Sequence, residues 1–242
     1  MARLARIVVP LTPHHVTQRG NRRMAIFKNA SDFELYRDLL AERLKFHGVT
    51  CSAYCLMPNH VHLLLSPMHE RASEAGAALS RSVGEAHRRY TAFFNARART
   101  TGHLFQSRFG CAAMDEEHWL TAVRYLAFNP VRAGLSPRPE DWRWSSVAAH
   151  LKGRDDALVS VAPVLAVAPR FADLLEDASQ NRLAAFATLA HSGRPLGGPE
   201  FLARIEARLG RSLAPGRPGR KPRNVRSTGQ QRKRAIGIGV HP

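Results

Sequence analysis

Several things are scarce in this chain, and each scarcity excludes a class of protein. Cysteine is nearly absent: Cys51, Cys55 and Cys111 are the whole set among 242 residues. An odd, sparse count is no disulfide scaffold and suits a reducing compartment. Long apolar runs are missing too. None approaches the roughly 18 residues a membrane-spanning helix needs, and the opening Met1 to Pro10, with Arg3 and Arg6 inside it, has no apolar stretch of signal-peptide length. Acidic residues are few. Against 36 Lys plus Arg stand 19 Asp plus Glu, for a formal net charge of +17, and none follows Glu206. That excess favours a polyanion as partner. Most of the cations are arginine, the better bidentate fork for phosphate.

What is present can build a core, since 44% of the residues are hydrophobic. The most informative stretch is Tyr54-Cys55-Leu56-Met57-Pro58-Asn59-His60-Val61-His62-Leu63-Leu64-Leu65. An apolar run breaks at Pro58-Asn59 and resumes with two histidines. A strand over residues 60–65 would put His60, His62 and Leu64 on one face and Val61, Leu63 and Leu65 on the other. Residues 49–57 read as its antiparallel hairpin partner. Residues 14–18 could be a further short strand, followed by the basic turn Arg19-Gly20-Asn21-Arg22-Arg23. Residues 104–114 read as extended.

Helical spacing occupies the rest. Ser31 with Glu34 has capping-box spacing ahead of Phe33, Tyr36, Leu39, Leu40 and Leu44. Residues 72–97 form a second helix with Leu79, Val83, Ala86, Tyr90 and Phe93/Phe94 on its apolar side. Residues 116–128 form a third, stopped at Asn129 because the residue before Pro130 is pushed from helical angles. Trp142 and Trp144 read as packing at the edge of this unit. Residues 160–190 are Ala- and Leu-rich and helical, 191–198 a Gly/Pro linker, and 199–209 a short amphipathic helix. Mixed strands and helices with hairpin-length connections favour α+β with an antiparallel sheet. Three regions result: 1–150, a helical accessory region 151–210, and a basic, disordered tail 211–242 that would order on nucleic acid.

Two imidazoles on one strand face can hold a divalent metal, but they need a third ligand. Cys51 and Cys55 would make a zinc site, although the spacing fits zinc patterns poorly; buried, inert cysteines are the competing reading. The third helix offers Tyr125 and Asn129 on one face at four-residue spacing. Tyrosine can be a nucleophile, and an amide oxygen suits hard cations. Together these residues would support metal-assisted phosphoryl transfer, with the Tyr125 hydroxyl attacking phosphorus. The competing reading is a half-buried helix tyrosine and an asparagine that merely terminates the helix.

The segments Pro58 to Leu65, Tyr125 to Gly134, His15 to Asn21, Gln106 to Phe109 and Asp141 to Ser146 occur in the order found in REP-associated tyrosine transposases. The chain resembles that family over about residues 8–150, with Phe105 where relatives usually carry tryptophan. The resemblance implies a ferredoxin-like antiparallel sheet of the HUH endonuclease type and a divalent metal, Mg²⁺ or Mn²⁺. Its substrate would be single-stranded DNA near palindromic hairpins. Tyr125 would become joined to a 5′ phosphate, with His60, His62 and Asn129 as metal ligands. Arg19, Arg22, Arg23, Arg108 and Arg132, with Arg217, Arg220 and Lys221 in the tail, are the candidate DNA contacts. Such an enzyme would be cytoplasmic and nucleoid-associated, acting as monomer or homodimer without any membrane. The alternative is a non-catalytic regulator that binds DNA or RNA hairpins through phosphate contacts.

Overall fold

The computed structural model describes residues 6–176, 180–190, 192–210 and 212–213. The basic tail apart from residues 212–213, and with it Arg217, Arg220 and Lys221, lies outside the described residues.

Four strands form one antiparallel sheet: β1 (His14–Arg19), β2 (Val49–Met57), β3 (His60–Pro67) and β4 (Gly110–Ala113), in the order β2-β3-β1-β4. Helices α1 (Ala30–Phe46) and α2 (Ala72–Ala98) complete a β-α-β-β-α-β unit. This is the ferredoxin-like α+β arrangement. Both helices lie on one face, where Tyr36, Leu40, Leu79, Val83 and Tyr90 pack on Val16, Val61, Leu63 and Leu65. The other face carries α3 (Glu116–Arg132) and then α4 (Val147–Leu151), α5 (Ala162–Val167), α6 (Phe171–Glu176) and α7 (Gln180–Ala190). A last helix, α8 (Pro199–Leu209), buries Phe201 and Ile205 against Ile7, Val9 and Ala113. Among the described residues, no helix is long and apolar enough to cross a membrane.

The period of two in β3 is what sorts the two faces. Val61, Leu63 and Leu65 point to α1 and α2, while Leu64 belongs with α3. A bulge in β2 between Cys51 and Ala53 shifts its alternation. Cys51 therefore packs with α1 and α2, whereas Cys55 sits on the α3 face. The two thiols cannot converge on the histidines, and all three cysteines are free and buried.

Four local expectations are corrected. Helix α1 is capped by Asn29, whose Oδ1 accepts from the Asp32 N–H at 3.1 Å, and not by Ser31. Ser31 instead donates to that same Oδ1 at 2.7 Å. Helix α3 does not stop at Asn129 but runs through Pro130 to Arg132. Proline removes one donor, yet the bond from Ala133 N–H to the Asn129 carbonyl (3.1 Å) carries the ladder past it. Within residues 104–114 only β4 is a strand; Phe105 makes a single bridge to Gly20, and Ser107 is left-handed. The linker, described from residue 192, is not a free connection but is tied to the sheet end: Leu196 N–H donates to the Ala113 carbonyl at 2.8 Å, and Asp115 N–H to the Leu196 carbonyl at 3.0 Å.

Candidate active site

The site starts from the pleat of β1 and β3. Antiparallel pairing sets Thr17 opposite His62 and Arg19 opposite His60. Residues facing each other across a ladder point to the same side. His15, Thr17, Arg19, His60 and His62 therefore share the α3 face. The His60 and His62 rings lie edge-to-face with centroids 4.9 Å apart.

Helix α3 crosses this face and supplies the rest. The Tyr125 ring meets His62 edge-on at 5.4 Å between centroids. One turn on, the Asn129 side chain lies beside the Tyr125 hydroxyl and pulls its pKa down. Two turns on, the guanidinium of Arg132 lies 5.5 Å from the centre of the Tyr125 ring. Spacing of four and seven residues stacks all three on one helix stripe. That stripe exists because α3 continues through Pro130. A helix ending at Asn129 would have released Arg132.

Tyr125 is buried, with 8% of its surface exposed. Burial raises its hydroxyl pKa above the ordinary tyrosine value; Arg132, Asn129 and Arg19 pull the other way without cancelling the shift. The hydroxyl is thus protonated at rest, and three groups stand ready to stabilise it when it loses that proton.

Each histidine has its Nδ1 engaged. His60 Nδ1 lies 2.6 Å from Asn59 Oδ1, which as an acceptor places the proton on Nδ1. His62 Nδ1 lies 2.9 Å from His15 Nε2. A ring nitrogen held by a neighbouring group is the usual way a metal-ligating imidazole is oriented. Among the described residues, no group of three or more His, Cys, Asp or Glu is placed to hold a metal ion. A site here would need an amide such as Asn129, together with substrate oxygens.

The other expected contacts divide. Arg22 and Arg23 are exposed in the turn after β1, both at positive φ (51° and 61°), a conformation uncommon outside glycine. Asn59, beside His60, clasps that turn by donating from Nδ2 to the Arg23 carbonyl at 3.2 Å. Arg108 lies elsewhere, in a pocket on the α2 side. Two residues of the site were not foreseen. His15 stacks on His62 with planes 7° apart. Phe186 of α7 touches both His15 (5.4 Å) and Tyr125 (5.3 Å). The register of β1 would have indicated His15; nothing in the sequence points to Phe186.

Trp142 and Trp144 do pack the edge. The Trp142 indole donates to the Leu56 carbonyl at 3.0 Å, and Trp144 stacks on Phe33 at 4.5 Å.

The profile of the "Transposase IS200 like" family matches residues 8–129. No curated protein matches the chain. Among solved structures, a REP-associated tyrosine transposase bound to a REP hairpin is similar at a TM-score of 0.53 and 18% identity, covering 66% of this chain and 92% of that one. A Deinococcus radiodurans R1 protein assigned as a transposase aligns at 18% identity and a TM-score of 0.36, over 55% of this chain and 98% of that one. The matched span takes in β1 to β4, both histidines of β3, and α3 as far as Asn129, and the chain belongs to the IS200-like transposase family.

Proposed function

We propose that this chain is a divalent-metal-dependent endonuclease and strand transferase for single-stranded DNA carrying palindromic hairpins, of the REP-associated tyrosine type. The observation that carries the reading is the placement of Tyr125. Its ring contacts His62, Arg132 stands over its face, and Asn129 lies beside its hydroxyl.

In the reaction, the Tyr125 oxygen attacks the phosphorus of a phosphodiester. The Oη–P bond forms and the P–O3′ bond breaks. The product is a 5′-phosphotyrosine and a free 3′ hydroxyl, so the hydroxyl proton of Tyr125 ends on the departing 3′ oxygen. Attack on the adduct by another 3′ hydroxyl reverses the step and joins strands without an external energy source. Arg132 and Arg19 stabilise the tyrosinate as it forms, and both can accept the phosphate in a bidentate grip. A bound Mg²⁺ or Mn²⁺ would neutralise charge on the phosphate oxygens, and His60, His62 and Asn129 fit as its holders. Their fit rests on the two engaged Nδ1 atoms and on the Asn129 amide beside the Tyr125 hydroxyl, whose oxygen suits a hard cation. A cytoplasmic, nucleoid-associated location follows from the substrate.

The test uses a labelled hairpin oligonucleotide with flanking single strands, incubated with the protein and Mn²⁺. A covalent protein–DNA adduct is expected from the native chain and none from Tyr125→Phe. His60→Ala and His62→Ala should stop adduct formation while leaving hairpin binding intact. An adduct from Tyr125→Phe would refute the nucleophile. Tight hairpin binding with no adduct under any metal would favour the non-catalytic regulator.

A further inference from the structure

On the opposite face of the sheet from Tyr125, a pocket opens between α2 and residues 103–109. Its volume is about 530 Å³, within the range of small-molecule sites. Three arginines line it, Arg6, Arg88 and Arg108, and no lining residue is acidic. Arg6 is fixed by neutral partners: Nη1 donates to Ser80 Oγ (3.2 Å), Nε to the Phe109 carbonyl (3.3 Å), and the guanidinium lies 3.7 Å over the Phe109 ring. Burial lowers the Arg6 pKa, Cys111 opposes that shift, and the charge of nearby Arg108 lowers it further. Among the described residues, neither Arg88 nor Arg108 has a carboxylate ion-pair partner. Three like charges around one cavity are mutually unfavourable, and an anion between them would relieve that.

The pocket also has a flat, neutral wall. Phe105 and His87 stack on each other at 4.3 Å. Burial drives the His87 pKa down to about 3, so the ring is neutral. Burial raises the Tyr36 hydroxyl pKa, so it stays protonated, and it shares a hydrogen bond with His87 Nε2 at 2.9 Å. Arginines for a phosphate beside aromatic rings for a base are the two components of single-strand nucleic-acid binding.

The pocket is joined to the catalytic face by the end of β1. Gln18 lines the pocket and donates to the Gln106 carbonyl at 2.8 Å, while its neighbour Arg19 faces Tyr125. Gln106 N–H in turn bonds the Arg19 carbonyl at 2.8 Å. A strand whose phosphodiester lies at Tyr125 can round Gly20 and reach this pocket.

We propose that the pocket between α2 and residues 103–109 is a nucleotide subsite, holding one base and its phosphate from the single strand that flanks the cleaved phosphodiester. The assignment of a flanking DNA strand rests on the proposed function; the pocket's chemistry does not.

Gly84 makes the test clean. It lies on the pocket side of α2, and a Cβ there meets no atom within 4 Å. Gly84→Leu starts from open space at its Cβ on the pocket side and favours the helix. Thymidine 5′-monophosphate, thymidine and inorganic phosphate would each be titrated into the full chain and followed by amide chemical shifts. The monophosphate is expected to shift residues 80–92 and 103–109 saturably, at least tenfold more tightly than either thymidine or phosphate. Gly84→Leu and Arg88→Gln should each weaken it about tenfold with a melting temperature no lower than that of the native chain. Shifts confined to the surroundings of Tyr125 would overturn the proposal. Equal affinity for inorganic phosphate would overturn it as well, leaving a plain anion site, and so would an undiminished response in Gly84→Leu. Tyr125→Phe must still bind the monophosphate in the pocket. If it does while the native chain forms no adduct with hairpin DNA, the subsite stands and the catalytic reading falls.

Discussion

Nε2 of His15 lies 2.9 Å from Nδ1 of His62, between rings that are parallel to within 7°. The two residues are 47 apart in sequence and belong to adjacent strands. His15 is directly opposite Leu64, so its contact with His62 is the diagonal one across the ladder. If His62 donates from Nδ1, its Nε2 is the lone-pair nitrogen, and His15 carries its own proton on Nδ1. If His62 holds the metal as proposed, His15 is a positioning residue for that ligand.

Replacing it should therefore act on metal binding rather than on DNA binding. His15→Ala is expected to weaken Mn²⁺ affinity and adduct formation by about 10–100-fold. Hairpin affinity in the absence of metal should stay within about twofold. Electron paramagnetic resonance of free Mn²⁺ gives the first quantity and a filter-binding assay the last. Equal Mn²⁺ affinity in both proteins would remove the positioning role.

Gly20 is the residue around which the end of β1 turns. A Cβ there would run into the Met24 carbonyl oxygen and stand 2.8 Å from Ile26 Cγ2. Its N–H also bonds the Asn59 carbonyl at 2.8 Å, next to His60. Gly20→Ala must push the Arg22-Arg23 turn away, with a loss of about 1–3 kcal/mol. Chemical denaturation would show it as a lower midpoint at unchanged slope. A neutral substitution would mean that the turn yields freely and that Asn59 is not anchored by it.

Much of this arrangement was legible in the sequence, because it follows from local periods. Alternation in residues 60–65 put His60 and His62 on one face, and a four-residue step put Tyr125 and Asn129 on one stripe. The remainder depends on pairings across the chain. His15 precedes a core valine and looks like a buried strand histidine until the β1–β3 register is known. The bulge between Cys51 and Ala53 leaves no local signature. The Asn129-Pro130 stop is a real backbone preference, but a single missing hydrogen bond is a small loss for a helix held by Trp119, Val123 and Leu126 in the core.

Asp32 offers a test by pH. Its side chain is fully buried, accepting from Arg97 Nη1, from Arg97 Nη2 at 2.8 Å and from Lys28 N–H at 2.7 Å. Burial alone would raise the carboxyl pKa, but these hydrogen bonds outweigh it and hold it below the usual carboxylate range. A depressed folded-state pKa means stability that is present at neutral pH and lost as pH falls through the folded value. Asp32→Asn is expected to lose roughly 2–3 kcal/mol at pH 7. The difference in melting temperature from the native chain should shrink steadily below about pH 4. A difference that stays constant down to pH 3 would show that charge is not what Asp32 contributes.

Phe186 links the helices beyond residue 150 to the sheet face that carries His15 and Tyr125. It is 2% exposed and packs on both His15 and Tyr125, while Arg124 of α3 donates to the Leu174 carbonyl at 3.0 Å. Phe186 and this backbone clasp join α6 and α7 to α3, alongside Leu174, Leu183 and Ala190, which are buried in the same cluster as Trp119 and Val123. Removing the Phe186 ring leaves a cavity beside Tyr125 and takes apolar surface out of the contact, a change that in buried sites amounts to about 3–5 kcal/mol. Phe186→Ala should release α7 before it disturbs the sheet, because β2 and β3 owe their burial on the other face to α1 and α2. Hydrogen exchange can separate the two events. Amides of residues 183–190 should lose protection in the variant, while those of β2 and β3 keep it. Loss of protection in all of them together would mean that α7 and the sheet unfold as one cooperative unit, and that the accessory helices are part of the core domain rather than an addition to it.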